Sequence, residues 1–483
     1  MYYLLAPRYQ LAGYQKLPFA IHDLHRSKTE FLNREQFGVV YHCDGQHDLD
    51  EEELTEGGRS FLAELVKKGF VSCGETQGKL KPYQEYVYYD NRFKESVQWS
   101  VTGKCNYRCR HCFMSAPDAK YGHPTKEQCL TLIRQMEECG IKNVYLTGGE
   151  PLVRSDFMEL VEALTEHHIH ISCILTNGKL ADDALLDGLE RNHQHPSFQM
   201  SYDGNGWHDW MRGIDGAEET VLRAFRLLRE RGYNTSCSMA LHKKSIGSIR
   251  ESVLTLRDVG CGSLKINAAS PSGEWVRYPE YFLTIDETYQ AFLDYIPQYF
   301  EDDAPVSIML EGCFLYTPGM PKWFMVSDKN TDGSFERIPV CGPLRNSIYV
   351  APEGDVLPCQ SMITAPIAKR YPNVFETPLK SILTDSAYLD DACSNLSVYM
   401  EKNPECARCP HAAHCCGGCR AKGVETCGDN FFAPDRQVCA FYLDGWYEKF
   451  KAVAGKEFTR FAENGGVERG AARKKNCAVT QDC

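Results

Sequence analysis

Apolar and polar positions along the middle of the chain follow the pattern of short buried strands separated by amphipathic helices. Six apolar segments predict strands, and they are SVQWSVT, NVYLTGG, HISCILTNG, FQMSYDG, TSCSMALH and SLKINAA. One intervening helix is predicted to begin at Thr125, where Gln128 completes a capping box, and to end at Gly140. Another helix is predicted in GAEETVLRAFRLLRERG. This alternation favours parallel strands covered by helices.

The six β/α units predict an α/β fold with a partial (β/α)6 TIM-like barrel over residues 95–305. In folds of this kind the chemistry lies at the C-terminal ends of the strands. Residues that directly follow each predicted strand are therefore the first candidates for a functional site.

The first 85 residues show short strands and two short helices. LPFAIHDLH and KTEFL predict strands, and Asn33 is the predicted cap of a helix in NREQFGVVYHCDG. EGGRSFLAELVKKGFVSC predicts a second helix that stops at Gly69, followed by a closing strand. This order predicts a winged-helix-like module over residues 1–85, joined to the barrel by the polar linker GETQGKLKPYQ.

Helical periodicity fades over residues 306–450, where glycine, proline and cysteine are dense. A region with so little regular apolar pattern needs another source of order, and metal clusters supply one. We therefore expect a cysteine-rich domain here. The remaining residues, 451–483, are predicted to form a C-terminal tail, whose last segment GGVERGAARKKNCAVTQDC is expected to be mobile.

Composition narrows the class of protein. The chain is 43% apolar and 24% charged, which is typical of a globular protein, and its net charge of −12 disfavours nucleic acid as a partner. No run of 18 apolar residues is present, so no membrane span is expected. The first residues, MYYLLAPRYQ, lack the features of a secretory signal, and we expect a cytoplasmic protein.

The chain contains 23 cysteines, which disulfides do not explain in a reducing compartment. Metal binding or redox chemistry is the better explanation. Three of them, Cys105, Cys109 and Cys112, follow the first predicted strand with the spacing C-x3-C-x2-C. Thiolates bind soft metals and iron–sulfur clusters, and a 4Fe–4S cluster takes one ligand per iron. Three cysteines leave one iron open to a small molecule; the alternative is a zinc site that lacks one ligand.

This loop resembles that of the radical S-adenosylmethionine (SAM) superfamily, because related motifs follow the next strands. They are TGGEPL at 147–152, TNG at 176–178 and SYDG at 201–204. The resemblance implies that the three cysteines hold a 4Fe–4S cluster and that SAM binds its open iron. It also implies SAM contacts at His111, Gly148, Gly149, Glu150, Thr176, Asn177, Ser201, Asp203, Arg212 and Leu241.

Individual roles follow from the same resemblance. Gly148 and Gly149 let the backbone approach the ligand, and Glu150 supplies a carboxylate for the SAM ammonium. Ser201 and Arg212 correspond to contacts with the ribose and the carboxylate. His111 stands where the family usually has an aromatic residue and stacks on adenine, and Leu241 touches adenine from the fifth strand. The implied mechanism is reductive cleavage of SAM to a 5′-deoxyadenosyl radical, which abstracts hydrogen from a substrate carbon.

A second cysteine array begins at Cys341 and Cys359 and includes CARCPHAAHCCGGC with the spacing C-x2-C-x5-C-x3-C. It resembles the SPASM domain, which holds two auxiliary 4Fe–4S clusters; a pair of zinc ions is the alternative. The resemblance implies an outer cluster on Cys406, Cys409, Cys415 and Cys439. It implies an inner cluster on Cys341, Cys359 and Cys419. Cys313 is the candidate fourth inner ligand, and an open iron that binds a substrate cysteine is the alternative.

The N-terminal module resembles the leader-peptide recognition element of enzymes that modify ribosomally made peptides. Such modules bind a leader as an added edge strand. The other interpretation is a helix-turn-helix DNA binder, which the acidic segment DLDEEELTE disfavours. The resemblance implies a cysteine-rich precursor peptide with a leader as a partner, and an electron donor such as flavodoxin or ferredoxin.

Across the whole chain the resemblance is to sactipeptide and related thioether maturases, which join a cysteine sulfur to a carbon of the precursor. Three alternatives stay open: a maturase that forms C–C or C–O links, a sulfatase-maturing enzyme and a zinc-binding transcriptional regulator. The sulfatase-maturing family has an aspartate base directly after the second cysteine of its SPASM domain, where this chain has Gln360. A neutral amide cannot accept a proton as a carboxylate does.

Overall fold

The computed structural model of the protein describes residues 1–24, 28–49, 53–116 and 118–479, with residues 474–479 described by their backbone alone. Three predicted segments extend beyond these ranges. His25 of the first predicted strand, residues 50–52 of the acidic segment and residues 480–483 of the tail lie outside the described residues.

The N-terminal module contains two small sheets and two helices. Its strands are β1 (Tyr2–Leu5), β2 (Tyr9–Gln15), β3 (Leu17–Asp23), β4 (Lys28–Phe31), β5 (Asp44–Asp48), β6 (Val71–Gly74) and β7 (Val87–Arg92). Its helices are α1 (Arg34–Tyr41) and α2 (Glu56–Lys67). The sheets have the strand orders β5-β1-β6 and β4-β3-β2-β7.

The predicted start of α1 and the predicted end of α2 are both confirmed. Asn33 accepts a hydrogen bond from the backbone of Gln36 at 2.8 Å and forms the expected capping box, and α2 ends just before Gly69, whose φ is 72°. The strands β1, β2, β5 and β7 were not predicted. Their order depends on pairing with strands that are distant in sequence, and β-propensity depends on that context.

A buried tyrosine joins the module to the barrel. The Tyr14 hydroxyl donates to the carbonyl of Gly140 at 2.9 Å, and His22 Nε2 lies 3.0 Å from the same hydroxyl. The ring of Tyr14 stacks on Tyr89 with centroids 5.1 Å apart. Because Tyr14 is fully buried, this contact holds the four-stranded sheet against the C-terminal end of a barrel helix.

The barrel sheet contains the six predicted parallel strands and a seventh. They are β8 (Ser96–Ser100), β9 (Asn143–Thr147), β10 (His170–Leu175), β11 (Ser197–Ser201), β12 (Thr235–Leu241), β13 (Ser263–Ala268) and β14 (Ser307–Leu310). Each pairs in parallel with the next. The predicted α/β fold with a partial barrel is therefore confirmed.

Helices cover one face of these strands. They are α3 (Lys126–Glu138), α4 (Phe157–Glu166), α5 (Asp183–Arg191), α6 (His208–Arg212), α7 (Ala217–Glu230), α8 (Ile249–Asp258) and α9 (Ile285–Glu301). The predicted capping box of Thr125 and Gln128 begins α3. Alternate strand residues such as Val97 and Trp99 are fully buried in the core that the helices share. No helix in the described part of the chain is both long and apolar enough to cross a bilayer.

The cysteine-rich region extends the same sheet. Strand β15 (Phe314–Tyr316) pairs with β14, while β16 (Ser347–Val350) runs parallel to β8 and is followed by β17 (Val356–Leu357). Short helices fill the rest. They are α10 (Gly342–Asn346), α11 (Leu379–Ile382), α12 (Ala387–Ala392), α13 (Leu396–Lys402), α14 (Pro404–Ala407), α15 (Ala412–Cys415), α16 (Arg420–Cys427) and α17 (Arg436–Leu443). One continuous sheet thus joins this region to the barrel.

The prediction of a mobile segment is wrong over residues 466–479, which form a helix. Helix α18 (Trp446–Glu463) packs on α9, and α19 (Gly466–Val479) follows it. Phe450 is fully buried and Phe461 nearly so, and both face the core at helical spacing. The polar composition of the last residues hid this apolar stripe, which only the partner helix makes stable.

We expect Phe450→Ala to destabilise the protein by about 3–5 kcal/mol, because the ring is fully buried and packs edge-on against Tyr289. Thermal unfolding followed by circular dichroism measures the change. Lys456→Ala, on an exposed position of the same helix, is the control and should change stability by less than about 0.5 kcal/mol. Equal melting temperatures for Phe450→Ala and the wild type would contradict the packed α18.

Candidate functional site

The C-terminal ends of four neighbouring strands bring the predicted motifs to one rim of the barrel. The loop with Cys105, Cys109 and Cys112 follows β8, and TGGEPL, TNG and SYDG follow β9, β10 and β11. These strands are adjacent in the sheet order, so the four loops are neighbours in space.

The two glycines of TGGEPL lie against the start of the cysteine loop. Gly149 N donates to Thr102 O at 2.8 Å, and Glu150 N donates to Lys104 O at 2.9 Å. A Cβ at Gly149 would lie 2.3 Å from Lys104 O, and a Cβ at Gly148 would lie 2.4 Å from Thr102 O. We expected these glycines to admit a ligand; the close neighbour that requires them in the structure is the cysteine loop itself.

Glu150 is fully buried and connects three of the rim loops. Its carboxylate accepts from Thr176 Oγ1 at 2.8 Å and from Asn177 N at 2.7 Å. Asn177 Nδ2 in turn donates to Asn106 Oδ1, inside the cysteine loop, at 2.7 Å. Burial raises the pKa of Glu150 to about 7, although the hydrogen bond from Asn177 N opposes the increase. A cation bound beside this carboxylate would therefore gain a strong, desolvated partner.

Asp203 and Arg212 form a buried ion pair beside the second cysteine. Arg212 Nε lies 2.7 Å from Asp203 Oδ2, and Ala240 N donates to Asp203 Oδ1 at 3.1 Å. Burial alone would raise the pKa of Asp203, but the guanidinium holds that pKa well below its usual range. Arg212 Nη1 lies 3.7 Å from Cys109 Sγ. Asp203 thus holds Arg212 in place, and Arg212 is directed at the cysteine loop.

The three thiols are partly buried and receive hydrogen bonds at sulfur. Tyr107 N donates to Cys105 Sγ and Ala116 N donates to Cys112 Sγ, both at 3.4 Å. Burial raises the pKa of Cys105 to about 12, so a bound metal is needed to keep its sulfur as thiolate. Sulfurs that accept amide hydrogen bonds on a buried loop fit the ligands of an iron–sulfur cluster.

The remaining predicted SAM contacts differ in their surroundings. His111 Nδ1 is buried without a hydrogen-bond partner in the described residues, and burial lowers the pKa of this histidine to about 4, so the ring is neutral. Ser201 is partly exposed at the end of β11. Leu241 is fully buried on the face of β12 that packs against helices, and its contact with adenine stays a prediction.

Two rim residues were missed by sequence reasoning. Asn106 links the cysteine loop to Asn177, and its position inside the cysteine motif was the available clue. His242 follows β12, is fully buried and has Nε2 without a partner in the described residues. Nothing in the local pattern distinguished it from a core histidine. Burial lowers its pKa to about 4.

The seven cysteines of the second array fall into two groups in space, as judged by which thiols interact electrostatically. One group is Cys341, Cys359 and Cys419. The other is Cys406, Cys409, Cys415 and Cys439. Among the described residues, no three His, Cys, Asp or Glu side chains converge as they would around one metal ion.

Cys313 is the candidate fourth ligand of the first group, but its thiol interacts with other residues. Its thiol is almost fully buried, and it contacts the carbonyl of Glu311 and the side chain of Tyr289. The recorded interactions of Cys313 include none with the other cysteines. Its role as a ligand stays a prediction.

Comparison with known families assigns two regions of the chain. Residues 99–256 match the Radical SAM superfamily, and residues 341–410 match SPASM, an iron–sulfur cluster-binding domain. The first region contains the cysteine loop and the other three rim motifs. The second contains four of the seven cysteines in the second array.

Three similar proteins extend the comparison. Mycofactocin maturase MftC of Mycobacterium tuberculosis is 25% identical over 334 residues, which are 67% of this chain and 78% of that protein. The antilisterial bacteriocin subtilosin biosynthesis protein AlbA of Bacillus subtilis is 23% identical over 341 residues, 68% of this chain and 67% of that protein. The structure of Streptococcus suis SuiB bound to precursor peptide SuiA is 14% identical, covers 90% of this chain and 99% of SuiB, and has a TM-score of 0.60. At this identity the SuiB match shows a shared fold.

Gly149→Ala is expected to prevent assembly of the first cysteine site, because its Cβ would lie 2.3 Å from the carbonyl oxygen of Lys104. Iron and sulfide per chain should fall by the share of one cluster, and SAM binding should be lost. Gly455→Ala is the matched control, since nothing lies within 4 Å of a Cβ at that position. Full cluster content in Gly149→Ala would contradict the close packing of the two loops.

The raised pKa of Glu150 predicts a pH dependence of stability in protein without SAM. Between pH 4.5, the ordinary pKa, and about 7, the unfolded chain loses the Glu150 proton while the folded chain keeps it. The free energy of unfolding should therefore decrease over this range as pH rises. Urea unfolding at several pH values should show a smaller decrease for Glu150→Gln. Parallel profiles of the two proteins would contradict the burial effect.

Proposed function

This chain is a radical SAM enzyme of the SPASM peptide-maturase type, and we propose that it installs thioether links between cysteine sulfur and carbon in a ribosomally synthesised precursor peptide. The proposed division is a leader-recognition module at 1–85, the radical SAM barrel at 95–305, the SPASM domain at 306–450 and a C-terminal extension at 451–483. SAM and iron–sulfur clusters are the cofactors, and three 4Fe–4S clusters is the count that we propose.

The rim residues fit SAM and its cluster. Cys105, Cys109 and Cys112 would bind three irons. Backbone amides donate to the sulfurs of Cys105 and Cys112, and the Arg212 guanidinium donates to that of Cys109. Glu150 would hold the SAM ammonium, since its buried carboxylate lacks a cationic partner among its recorded hydrogen bonds. When bound and reduced, the cluster and SAM supply the radical that abstracts a hydrogen atom from a carbon of the peptide.

Arg212 would bind and orient the carboxylate of SAM. Its guanidinium is held by Asp203 and directed at Cys109, so it offers positive charge close to the cysteine loop. His111 stays neutral near physiological pH because burial lowers its pKa to about 4, and a neutral flat ring suits stacking on adenine. These side chains bind and orient, and the buried rim excludes water from the reacting atoms.

The observation that carries the proposal is the separation of seven cysteines into two groups beside the barrel sheet. Cys359 closely follows β17, and Cys341 precedes α10 and β16, so the first group is attached to strands that extend the barrel. We propose that each group holds one auxiliary cluster. Thioether formation removes one hydrogen from carbon and one from sulfur. As the sulfur bonds to the carbon, the thiol gives up its proton to solvent, and the surplus electron requires an acceptor, which the auxiliary clusters would supply when bound.

Gln360 supports a maturase that acts without a carboxylate base at this position. Gln98 Nε2, on β8, donates to Gln360 Oε1 at 2.7 Å. Both side chains are neutral amides and neither accepts a proton from substrate. The absence of a carboxylate base at position 360 therefore counts against the sulfatase-maturing alternative.

The precursor peptide is the proposed partner, with a leader bound by the N-terminal module. The described strand orders leave β4, β5 and β6 at sheet edges, where an added peptide strand can pair with the backbone. The SuiB structure contains a bound precursor peptide and shares the fold of this chain, which supports the same class of substrate. Flavodoxin or ferredoxin is the proposed electron donor.

Co-expression with small cysteine-rich reading frames from the same gene neighbourhood tests this function. Mass spectrometry should detect a peptide that loses two hydrogens per link and whose linked cysteines resist alkylation. Fragmentation should place each link between a cysteine and a carbon of another residue. The combined Cys105→Ala, Cys109→Ala and Cys112→Ala variant is the control and should leave the peptide unmodified. A link that leaves every cysteine open to alkylation would refute thioether formation.

A further inference from the structure

The inner face of the barrel, defined as the strand residues of β8–β14 that point away from the helices, is polar and partly open to solvent. It alternates with the apolar face along β11, β12, β13 and β14. Typical members are Gln98, Gln199, Ser236, Ser238, Asn267 and Ser307. Neutral hydroxyls and amides of this kind suit the backbone of an extended peptide.

Lys265 is the exception on this face. It is the only Lys, Arg, Asp or Glu in the seven parallel strands, all of which lie in the described part of the chain. It lies at the centre of β13, paired in register with Ser238 and Met309, and its side chain is exposed. Within the described residues, no carboxylate lies within 4 Å of its ammonium.

The nearest recorded carboxylate is already engaged by other groups. Glu311, which follows β14, accepts from Ala268 N at 3.1 Å and lies 3.8 Å from Lys422 Nζ. Lys265 acts on Glu311 electrostatically from outside ion-pair distance. The positive charge of Lys265 is therefore not neutralised by the rim above it.

The position of Lys265 relates it to the reaction centre. Ser201, Ser238 and Lys265 lie in one register row across β11, β12 and β13. Two strand spacings place the Lys265 backbone about 10 Å from Ser201, the predicted SAM contact. An anion bound by Lys265 would thus lie beside the part of the peptide that reacts.

We propose that Lys265 binds the carboxylate of an aspartate or glutamate side chain in the precursor peptide and thereby selects an acidic residue close to the site of modification. This inference rests on the proposed function, since it takes the inner face as the place where the peptide binds. A single ammonium among neutral polar groups gives a charge requirement at one position and leaves the neighbouring positions tolerant.

A carboxylate could come from three sources, and the experiment separates them. The sources are an acidic side chain, the C-terminal carboxylate of a peptide and the carboxylate of SAM. The probes are synthetic nonapeptides with one central cysteine. One contains aspartate and an amidated C-terminus, one replaces that aspartate by asparagine, and one combines asparagine with a free C-terminal carboxylate.

The measurement is NMR of the cluster-loaded full chain after reductive 13C-methylation of its lysines. The Lys265 signal is identified by its absence in Lys265→Gln, and Lys456→Gln is the control on exposed α18. With SAM present, the aspartate peptide should shift the Lys265 signal and neither asparagine peptide should. Lys265→Gln should weaken binding of the aspartate peptide about tenfold, as expected for a lost charged hydrogen bond, and leave the asparagine peptides unchanged.

Several outcomes would overturn the proposal. Equal binding of aspartate and asparagine peptides would show that no acidic side chain is selected, and so would a Lys265 signal that responds to no peptide. A shift caused by SAM alone would assign Lys265 to the nucleotide, and a shift caused only by the free C-terminus would assign it to the end of the peptide. The proposed thioether function fails separately, because its test is the chemical nature of the link and this test is the charge of the bound peptide.

Discussion

The hydrogen bonds of the buried Glu150 carboxylate are the interactions that hold the rim loops together. The carboxylate lies at the end of β9, accepts hydrogen bonds from the loop after β10, and reaches the cysteine loop after β8 through Asn177 and Asn106. Three loops from three strands are thus joined by one desolvated group. Without the carboxylate, the loop after β10 would lose its side-chain link to the loop after β9. Because the group is desolvated, its charge is also the strongest attraction available to a bound ammonium.

Continuity of the sheet determines where the second cysteine array lies. Strand β16 pairs with β8 in parallel, so the SPASM region begins as an extension of the barrel. The hydrogen bond between Gln98 and Gln360 crosses this junction at 2.7 Å. The first cysteine group is therefore attached to the same sheet as the rim that carries Cys105, Cys109 and Cys112. A reaction that passes an electron between these sites requires such a fixed separation.

Charged residues are frequent in the chain as a whole but rare in the strands of the barrel. The chain carries a net charge of −12, yet its seven parallel strands contain a single Lys, Arg, Asp or Glu. At the rim, the buried charges of Asp203 and Arg212 compensate each other. Lys265 makes no ion pair within 4 Å among the described residues, and under the proposal above it would distinguish peptides by their charge.

The sequence by itself determined the features that depend on neighbours in the chain. Strand segments, the capping boxes of Asn33 and Thr125 and the spacing of Cys105, Cys109 and Cys112 were all readable, because each involves residues only a few positions apart. Only the tertiary structure decided the partner of Gly149, the helical state of residues 466–479 and the absence of an ion pair at Lys265 among the described residues. Each of these depends on contacts between residues far apart in the chain, such as Gly149 with Lys104 or β16 with β8, and local patterns contain no record of such contacts.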